Sequence, residues 1–392
     1  MTKYFRPLHV MVVAGEPSGD SLGAPFMAAL NELTGGSVRF SGVGGPQMEA
    51  QGLESLFPMT DLSLMGLVEV VPRIPLLRRR LREAESHALA SQPDAVLTID
   101  SPGFNFRLGR RLRHQGFPLI HYVAPQVWAW RPKRAEEIAQ FLDHLLVLFP
   151  FEPQYFQVVH LPTTFVGHPV VDAGLGSGDG SGFRALHKIP EKDTLLAVLP
   201  GSRGSEVGRL LPHFGATLKL VADAVPNLRV VVPTVPEMED VITAASALWP
   251  VPTTVVSGIS DKADALAASD GALAASGTIT LELALARVPA VIAYRLHPLT
   301  ALVARRLMKL KFASMVNVIL DRMVEPEMLQ GNCQPTRLAP EVVRILTDKD
   351  ARADQVAASG IISAALTPPG SSPSAAAATA VLNIISKRHA GA

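Results

Sequence analysis

The chain has 392 residues, 36 Lys and Arg against 35 Asp and Glu, and 48% hydrophobic residues, a balance that suits soluble globular domains with large cores. A net charge of +1 removes any general electrostatic case for nucleic acid, and a single cysteine, Cys333, excludes a disulfide framework or a multi-cysteine zinc site and fits a reducing, cytoplasmic setting. No window holds the ~18 consecutive apolar residues of a membrane span, and the N-terminus lacks a signal-peptide cleavage site, so it is expected to begin the fold.

Short apolar runs recur along the chain with helix-length amphipathic stretches between them. In order they are HVMVVAG, VRFSGVGG, DAVLTIDS, LIHYVAP and HLLVLFP, then LLAVLPGS, LRVVVPT, PTTVVSG, GALAAS and AVIAYR. They are apolar throughout instead of alternating, which predicts strands covered on both faces, hence parallel sheets flanked by helices. The runs form two sets, at about residues 8 to 168 and 190 to 345, with the Gly-rich stretch DAGLGSGDGSG (172 to 182) marking a loop or linker between them. The predicted fold class is α/β, with domains at 1–168 and 169–364 and a C-terminal linker and helix at 365–392. That last helix, TAVLNIISK, needs a partner surface, on the first domain or on a second subunit of a homodimer. Two such domains face to face would form a cleft at their strand-end loops, where ligands of open α/β sheets bind.

The first of these loops, VVAGEPSGDSLGA (12 to 24), brings Ser18 and Asp20 to a strand-to-helix turn, as helix caps or as part of a ligand loop. LTIDSPGFNFRL (97 to 108) sets Asp100 at the end of an apolar strand. There its carboxylate either accepts a proton from an attacking hydroxyl or, with Ser101 before Pro102, caps the next helix. HYVAPQVWAWRPKR (121 to 134) groups Trp128 and Trp130 with cations, as core or as a sugar platform. In the second half, VLPGSRGSEVGRLLP (198 to 212) offers Arg203 and free N–H groups at a helix start, suited to a diphosphate or to a surface ion pair. ALAASGTITLELALARVPAVIAY (272 to 294) follows with the turn Ser276, Gly277, Thr278 and with Glu282 on an otherwise apolar face, where a ribose or a nearby Arg would partner it.

Two stretches combine basic and apolar residues, MGLVEVVPRIPLLRRRLRE (65 to 83) and YRLHPLTALVARRLMKLK (294 to 311), and each reads as a membrane-surface element or as an ordinary amphipathic helix. In and beside the first we single out Leu64, Met65, Leu67, Val68, Leu76, Leu77, Arg78, Arg79 and Arg80 as membrane-facing. The histidines show no metal-ligand spacing, and no nucleophile elbow or P-loop signature occurs, so no metal and no cofactor is expected.

Taken together, AGEPSGD (14 to 20), GVGGPQMEAQGLESLF (42 to 57), MGLVEV (65 to 70), IDSPGFNFRL (99 to 108), HYVAPQVWAWRPKR (121 to 134), FVGHPV (165 to 170), LPGSRGSEV (199 to 207), ASGTITLE (275 to 282) and the segment from Met315 to Gln330 resemble the lipid-A-disaccharide synthases, inverting glycosyltransferases of GT-B fold, over nearly the whole chain. The resemblance implies condensation of UDP-2,3-diacylglucosamine with 2,3-diacylglucosamine 1-phosphate at the cytoplasmic face of the inner membrane, by a peripherally bound enzyme; with no metal site in the sequence, the reaction is expected to be metal-independent. It also implies Asp100 as general base, Ser18 and Asp20 on the acceptor side, and Arg203, Ser276, Gly277, Thr278, Glu282 and Asn317 around UDP. An epimerase or hydrolase of the same fold, or a non-catalytic membrane scaffold, are the alternatives that substrate-dependent UDP release would separate.

Overall fold

The computed structural model describes residues 6–62, 67–129, 132–297 and 311–391, with side chains at all of these except 67–71, 259 and 391. The chain divides into two compact units, Met1–Pro169 with Ala365–Ala392, and Val170–Ala364.

The first unit holds β1 (Leu8–Ala14), α1 (Pro17–Leu33), β2 (Val38–Val43), α2 (Pro46–Glu49), β3 (Glu54–Ser55), α3 (Leu67–Ser91), β4 (Ala95–Ile99), α4 (Pro102–Leu112), β5 (Leu119–Tyr122), α5 (Arg134–Ala139), β6 (His144–Val147), α6 (Pro153–Gln157) and β7 (Thr163–Phe165). Its sheet is parallel, in the order β3-β2-β1-β4-β5-β6-β7. All seven residues of β1 and all five of β4 are buried, as strands covered on both faces require.

The second unit follows with α7 (Gly180–Leu186), β8 (Thr194–Leu199), α8 (Gly204–Ala224), β9 (Leu228–Thr234), α9 (Pro236–Ser246), β10 (Thr253–Ser257), α10 (Ile259–Ala268), β11 (Gly271–Ala275), α11 (Ile279–Leu285), β12 (Ala290–Tyr294), α12 (Met315–Leu320), β13 (Glu327–Leu329) and α13 (Pro335–Thr347). Its parallel sheet runs β10-β9-β8-β11-β12-β13. Val207, Leu210, Leu211, Phe214, Leu218 and Val221 of α8 recur at helical spacing and pack with Leu338, Val342 and Ile345 of α13 over β8 and β11. Each such side chain contributes about 1.5–3 kcal/mol by leaving water.

The ten apolar runs of the sequence become β1, β2, β4, β5, β6, β8, β9, β10, β11 and β12. The other three strands, β3, β7 and β13, are two or three residues long, too short to carry a hydrophobic pattern. After α14 (Lys349–Leu366), α15 (Pro373–Gly391) lies against α1 of the first unit, burying Ala377, Ala378, Val381 and Ile385. Its His389 reaches to 3.4 Å from Asp94, a carboxylate that also accepts from Arg6 at 2.6 Å and from the His9 backbone N–H at 2.8 Å.

Both sheets reverse their strand order at one place, between β1 and β4 in the first unit and between β8 and β11 in the second. Beyond the carboxyl ends of strands at such a switch point a ligand finds backbone groups and no sheet in its way.

Candidate active site

At the first switch point β4 ends on Asp100 and Ser101, two successive non-glycine residues in left-handed conformation with φ of 49° and 43°. Such backbone costs of order 1–3 kcal/mol per residue and persists where neighbours hold it. Asn105, buried on α4, does the holding: its amide donates to Asp100 O at 2.8 Å, Ile99 O at 3.0 Å and Val13 O at 3.3 Å, tying the ends of β1 and β4 together. The Asp100 N–H donates to Tyr122 O at 3.0 Å, which ties in β5. Gly15 completes the fit, since a Cβ there would lie 2.5 Å from Ser101 Oγ. The result is an elbow that presents the half-buried Asp100 carboxylate, to which Ser18 Oγ donates at 3.1 Å. Ser101 stands at the start of α4 but makes no side-chain cap. The capping alternative for this turn is therefore not what the chain does.

Asp20 does not join this group. It is 3% exposed, and its carboxylate accepts from the N–H groups of Gly45 at 3.0 Å, Gln47 at 3.1 Å and Met48 at 2.9 Å. Three backbone donors engage its carboxylate, which locks the turn after β2 and the start of α2 against α1. Trp128 is likewise structural, packed edge-on against Phe151 at 5.3 Å with its Nε1–H donating to Glu152 at 3.2 Å. Burial pushes the Glu152 carboxyl up to about 7, against the pull of the Phe149, Trp128 and Leu148 N–H groups that donate to it. Trp130 lies outside the described residues.

At the second switch point a cavity of about 650 Å³ is lined by the turns after β8, β9 and β11 together with Lys262 and Glu282. Gly201, at φ 113°, makes the tight turn into α8. Arg203 then precedes a 21-residue helix whose first N–H groups have no intrahelical acceptor. Its guanidinium donates to Glu206 at 3.2 Å, and Glu206 also accepts from Tyr294 Oη at 3.3 Å. Burial, then the neighbouring Glu206 carboxylate, raises the Tyr294 phenol above its ordinary value. Glu282 is paired with Lys262 of α10, a partner that no pattern in SDKADALAAS suggested. Ser276, Gly277 and Thr278 line the same cavity, with Ser276 Oγ donating to Ala313 O at 2.7 Å.

Asn317 is not among the residues that line this cavity. It is fully buried on α12, where its amide donates to Glu325 O and to Glu327, both at 2.8 Å. Its Oδ1 accepts from the N–H groups of Val324 at 2.7 Å and Glu325 at 3.0 Å. Both ends of the side chain are occupied inside its own loop, so it shapes the wall after β12 and does not line the cavity. The fully buried Glu325 beside it is pushed up to about 8, chiefly by burial, with Glu327 adding to the rise and the Ser314 hydroxyl opposing it.

Of the residues singled out as membrane-facing, Leu64 and Met65 lie outside the described residues, as do residues 298–310 of the second basic stretch; Leu67 and Val68 fall in α3, whose side chains are described from Pro72 on. Arg79 is exposed and Leu76 half-buried. Arg80 is tied down: Asp61 at 2.7 Å and Glu83 at 2.8 Å hold its guanidinium over the Phe57 ring. Leu77 and Arg78 line a second cavity, of about 740 Å³, with Ser101, Phe104 and Arg107. Among the described residues no group of three or more His, Cys, Asp or Glu side chains converges as a metal site would, and no helix is long and apolar enough to cross a membrane.

The sequence pattern of the family described as lipid-A-disaccharide synthetase matches residues 10–381. The chain belongs to that family. It is 54% identical over 385 residues to the lipid-A-disaccharide synthase of Rhodospirillum centenum, covering 98% of this chain and 96% of the relative. It is 49% identical over 380 residues to that of Paramagnetospirillum magneticum, covering 96% and 97%. Among solved structures it resembles Acinetobacter baumannii MurG, with a TM-score of 0.58 at 17% identity over 97% of this chain and 100% of that one. It also resembles the UDP-GlcNAc 2-epimerase of Neisseria meningitidis, with a TM-score of 0.63 at 11% identity over 97% and 100%. These likenesses show a fold of two Rossmann-like domains shared by GT-B transferases and epimerases. It is the match to the synthase family that makes this chain a glycosyltransferase of lipid A biosynthesis.

Proposed function

We propose that this synthase joins UDP-2,3-diacylglucosamine to 2,3-diacylglucosamine 1-phosphate, with Asp100 as general base. The observation that carries the assignment is the strained elbow, which holds one carboxylate at a switch point where a hydroxyl can reach it. In this reading the acceptor's 6-hydroxyl gives its proton to Asp100 while its oxygen bonds to the donor's anomeric carbon. The bond from that carbon to the UDP oxygen breaks, its electron pair leaves with UDP, and a single displacement inverts the configuration. Arg203, Lys262 and the first N–H groups of α8 would meet the departing diphosphate, and Glu282 the ribose. Glu206 and Glu282 hold the two cations in place until the nucleotide arrives. The exposed Arg79 and the start of α3 would bring the enzyme to the inner membrane's cytoplasmic face as a peripheral protein.

The test is UDP release and lipid product mass in detergent micelles containing EDTA. Tetraacyl disaccharide phosphate formed only with both substrates, and lost in Asp100→Asn, is the expected result. UDP released without acceptor would point to hydrolysis or epimerisation, and inactivity relieved by a divalent cation would overturn the metal-independent route.

A further inference from the structure

The 740 Å³ cavity of the first unit has no role in the chemistry above, yet it begins at the elbow, with Ser101 and Gly103 in its wall. It is a groove between two helical stripes. Ile74, Leu77, Arg78 and Leu81 come from α3, and Gly103, Arg107, Arg110 and Arg111 from α4, each set at i, i+3, i+4 spacings that share one face. Leu81 and Phe104 are buried in its floor, while Ile74 remains 36% exposed. Among the described residues, four guanidinium groups therefore border an apolar slot whose lining holds one carboxylate, Glu16.

The four are not equivalent. Arg111 pairs with Glu85 at 2.6 Å, and Arg110 is shared between Glu137 at 3.6 Å and the ring of Phe141. Arg107 donates to a neutral acceptor, Gly103 O, and the Arg78 guanidinium has no ion pair among the described residues. Two uncommitted forks beside an apolar slot complement a phosphomonoester carried on an acyl chain, since guanidinium donates in pairs to phosphate oxygens and the slot removes alkyl surface from water.

Resting on the transferase reading, we propose that this groove is the acceptor's subsite: Arg78 and Arg107 take the 1-phosphate, and Ile74, Leu77, Leu81 and Phe104 take an acyl chain. The phosphate then anchors the sugar in the same cavity that Ser101 of the elbow lines, and leaves its 6-hydroxyl to Asp100. Arg78 and Arg107 are binding residues, distinct from the base.

The experiment is steady-state kinetics in micelles with the full chain, using 2,3-diacylglucosamine 1-phosphate and its dephosphorylated form as rival acceptors. R78Q and R107Q should each raise KM for the phosphorylated acceptor by about tenfold, with kcat and the KM for UDP-2,3-diacylglucosamine little changed. The double variant should lose the wild type's preference for the phosphorylated acceptor. Arg113→Gln, which removes one exposed cation just past the end of α4, should change nothing. Equal rises for both acceptors would mean a structural effect and would overturn the proposal, as would an unchanged KM. So would loss of binding to phosphatidylglycerol vesicles with micellar KM preserved, which would make these arginines headgroup contacts. Equilibrium binding of the acceptor without donor separates the two readings. A wild type that binds the acceptor through Arg107 but forms no disaccharide would sink the transferase reading alone, whereas turnover indifferent to Arg78 and Arg107 would sink the subsite alone.

Discussion

The turns after β4 and after β8 both lie at the switch points of their sheets, on opposite sides of the reversal, and are built by opposite means. The first bends through two left-handed non-glycine residues, and buried hydrogen bonds from Asn105 and the Asp100 N–H hold it there. The second bends at Gly201 without that cost and displays Arg203 with its side chain 67% exposed. A proton acceptor must sit within hydrogen-bond reach of one atom, so rigidity is useful there. A diphosphate is a spread charge that several mobile donors can follow, and loosely paired cations suffice for it. The expense of strain thus falls where position matters most.

Removing the carboxylate should break that comparison most sharply. Asp100→Asn is expected to lower kcat by roughly 10²- to 10⁴-fold, the usual range for a general base, with UDP affinity by calorimetry unchanged. A matching loss of UDP binding would mean that the two turns are not independent. Next is the elbow's support. Asn105→Ala removes the amide that satisfies Val13 O, Ile99 O and Asp100 O, and should destabilise the protein by about 2–3 kcal/mol in denaturant titration, with a parallel fall in kcat. Gly15→Ala acts on the same elbow through the contact with Ser101 and should lower kcat more than it changes either KM.

The second turn should respond more softly. Lys262→Ala is expected to weaken UDP binding by about tenfold, and Arg203→Ala by less, because its exposure leaves it screened by solvent. Neither should change melting as Asn105→Ala does. A large stability loss in Lys262→Ala would recast its pair with Glu282 as a structural bridge instead of a ligand-exchangeable one.

How much of this could be read from the chain follows from the range of the interactions. Strand runs such as HVMVVAG and DAVLTIDS announce themselves because burial on both faces keeps five or more successive positions mostly apolar, with His9 and Thr98 as buried polar members, and their ends mark the switch points. The elbow does not, since Asp-Ser-Pro is an ordinary helix-start sequence and left-handed backbone at Asp100 and Ser101 is imposed by Asn105 and Gly15 from other elements. The hydrogen bonds of Asp20 are hidden for the converse reason: its partners, Gly45, Gln47 and Met48, lie more than twenty residues away and leave no local trace. The stripes on α3 and α4 are visible as spacing, but only packing shows that they face each other across a groove.

The smallest expected effect concerns stability in the second unit. Burial raises Glu325 from 4.5 to about 8, so the folded chain keeps a proton there that the unfolded chain gives up near 4.5. Between those values this carboxyl binds more protons in the native state than in the unfolded state, so its own contribution to stability falls as pH rises through that window. Glu325→Gln keeps the shape and removes the ionisation, so its melting temperature should decline less between pH 5 and 8 than the wild type's. Asn317 bonds to Glu325 O and N through groups that do not titrate, which leaves the α12 loop intact in the variant. A Glu325→Gln variant whose melting followed the wild type's pH dependence would show instead that the Glu325 carboxyl ionises in the fold as it does in water, and that the Ser314 hydroxyl offsets the cost of burying its charge.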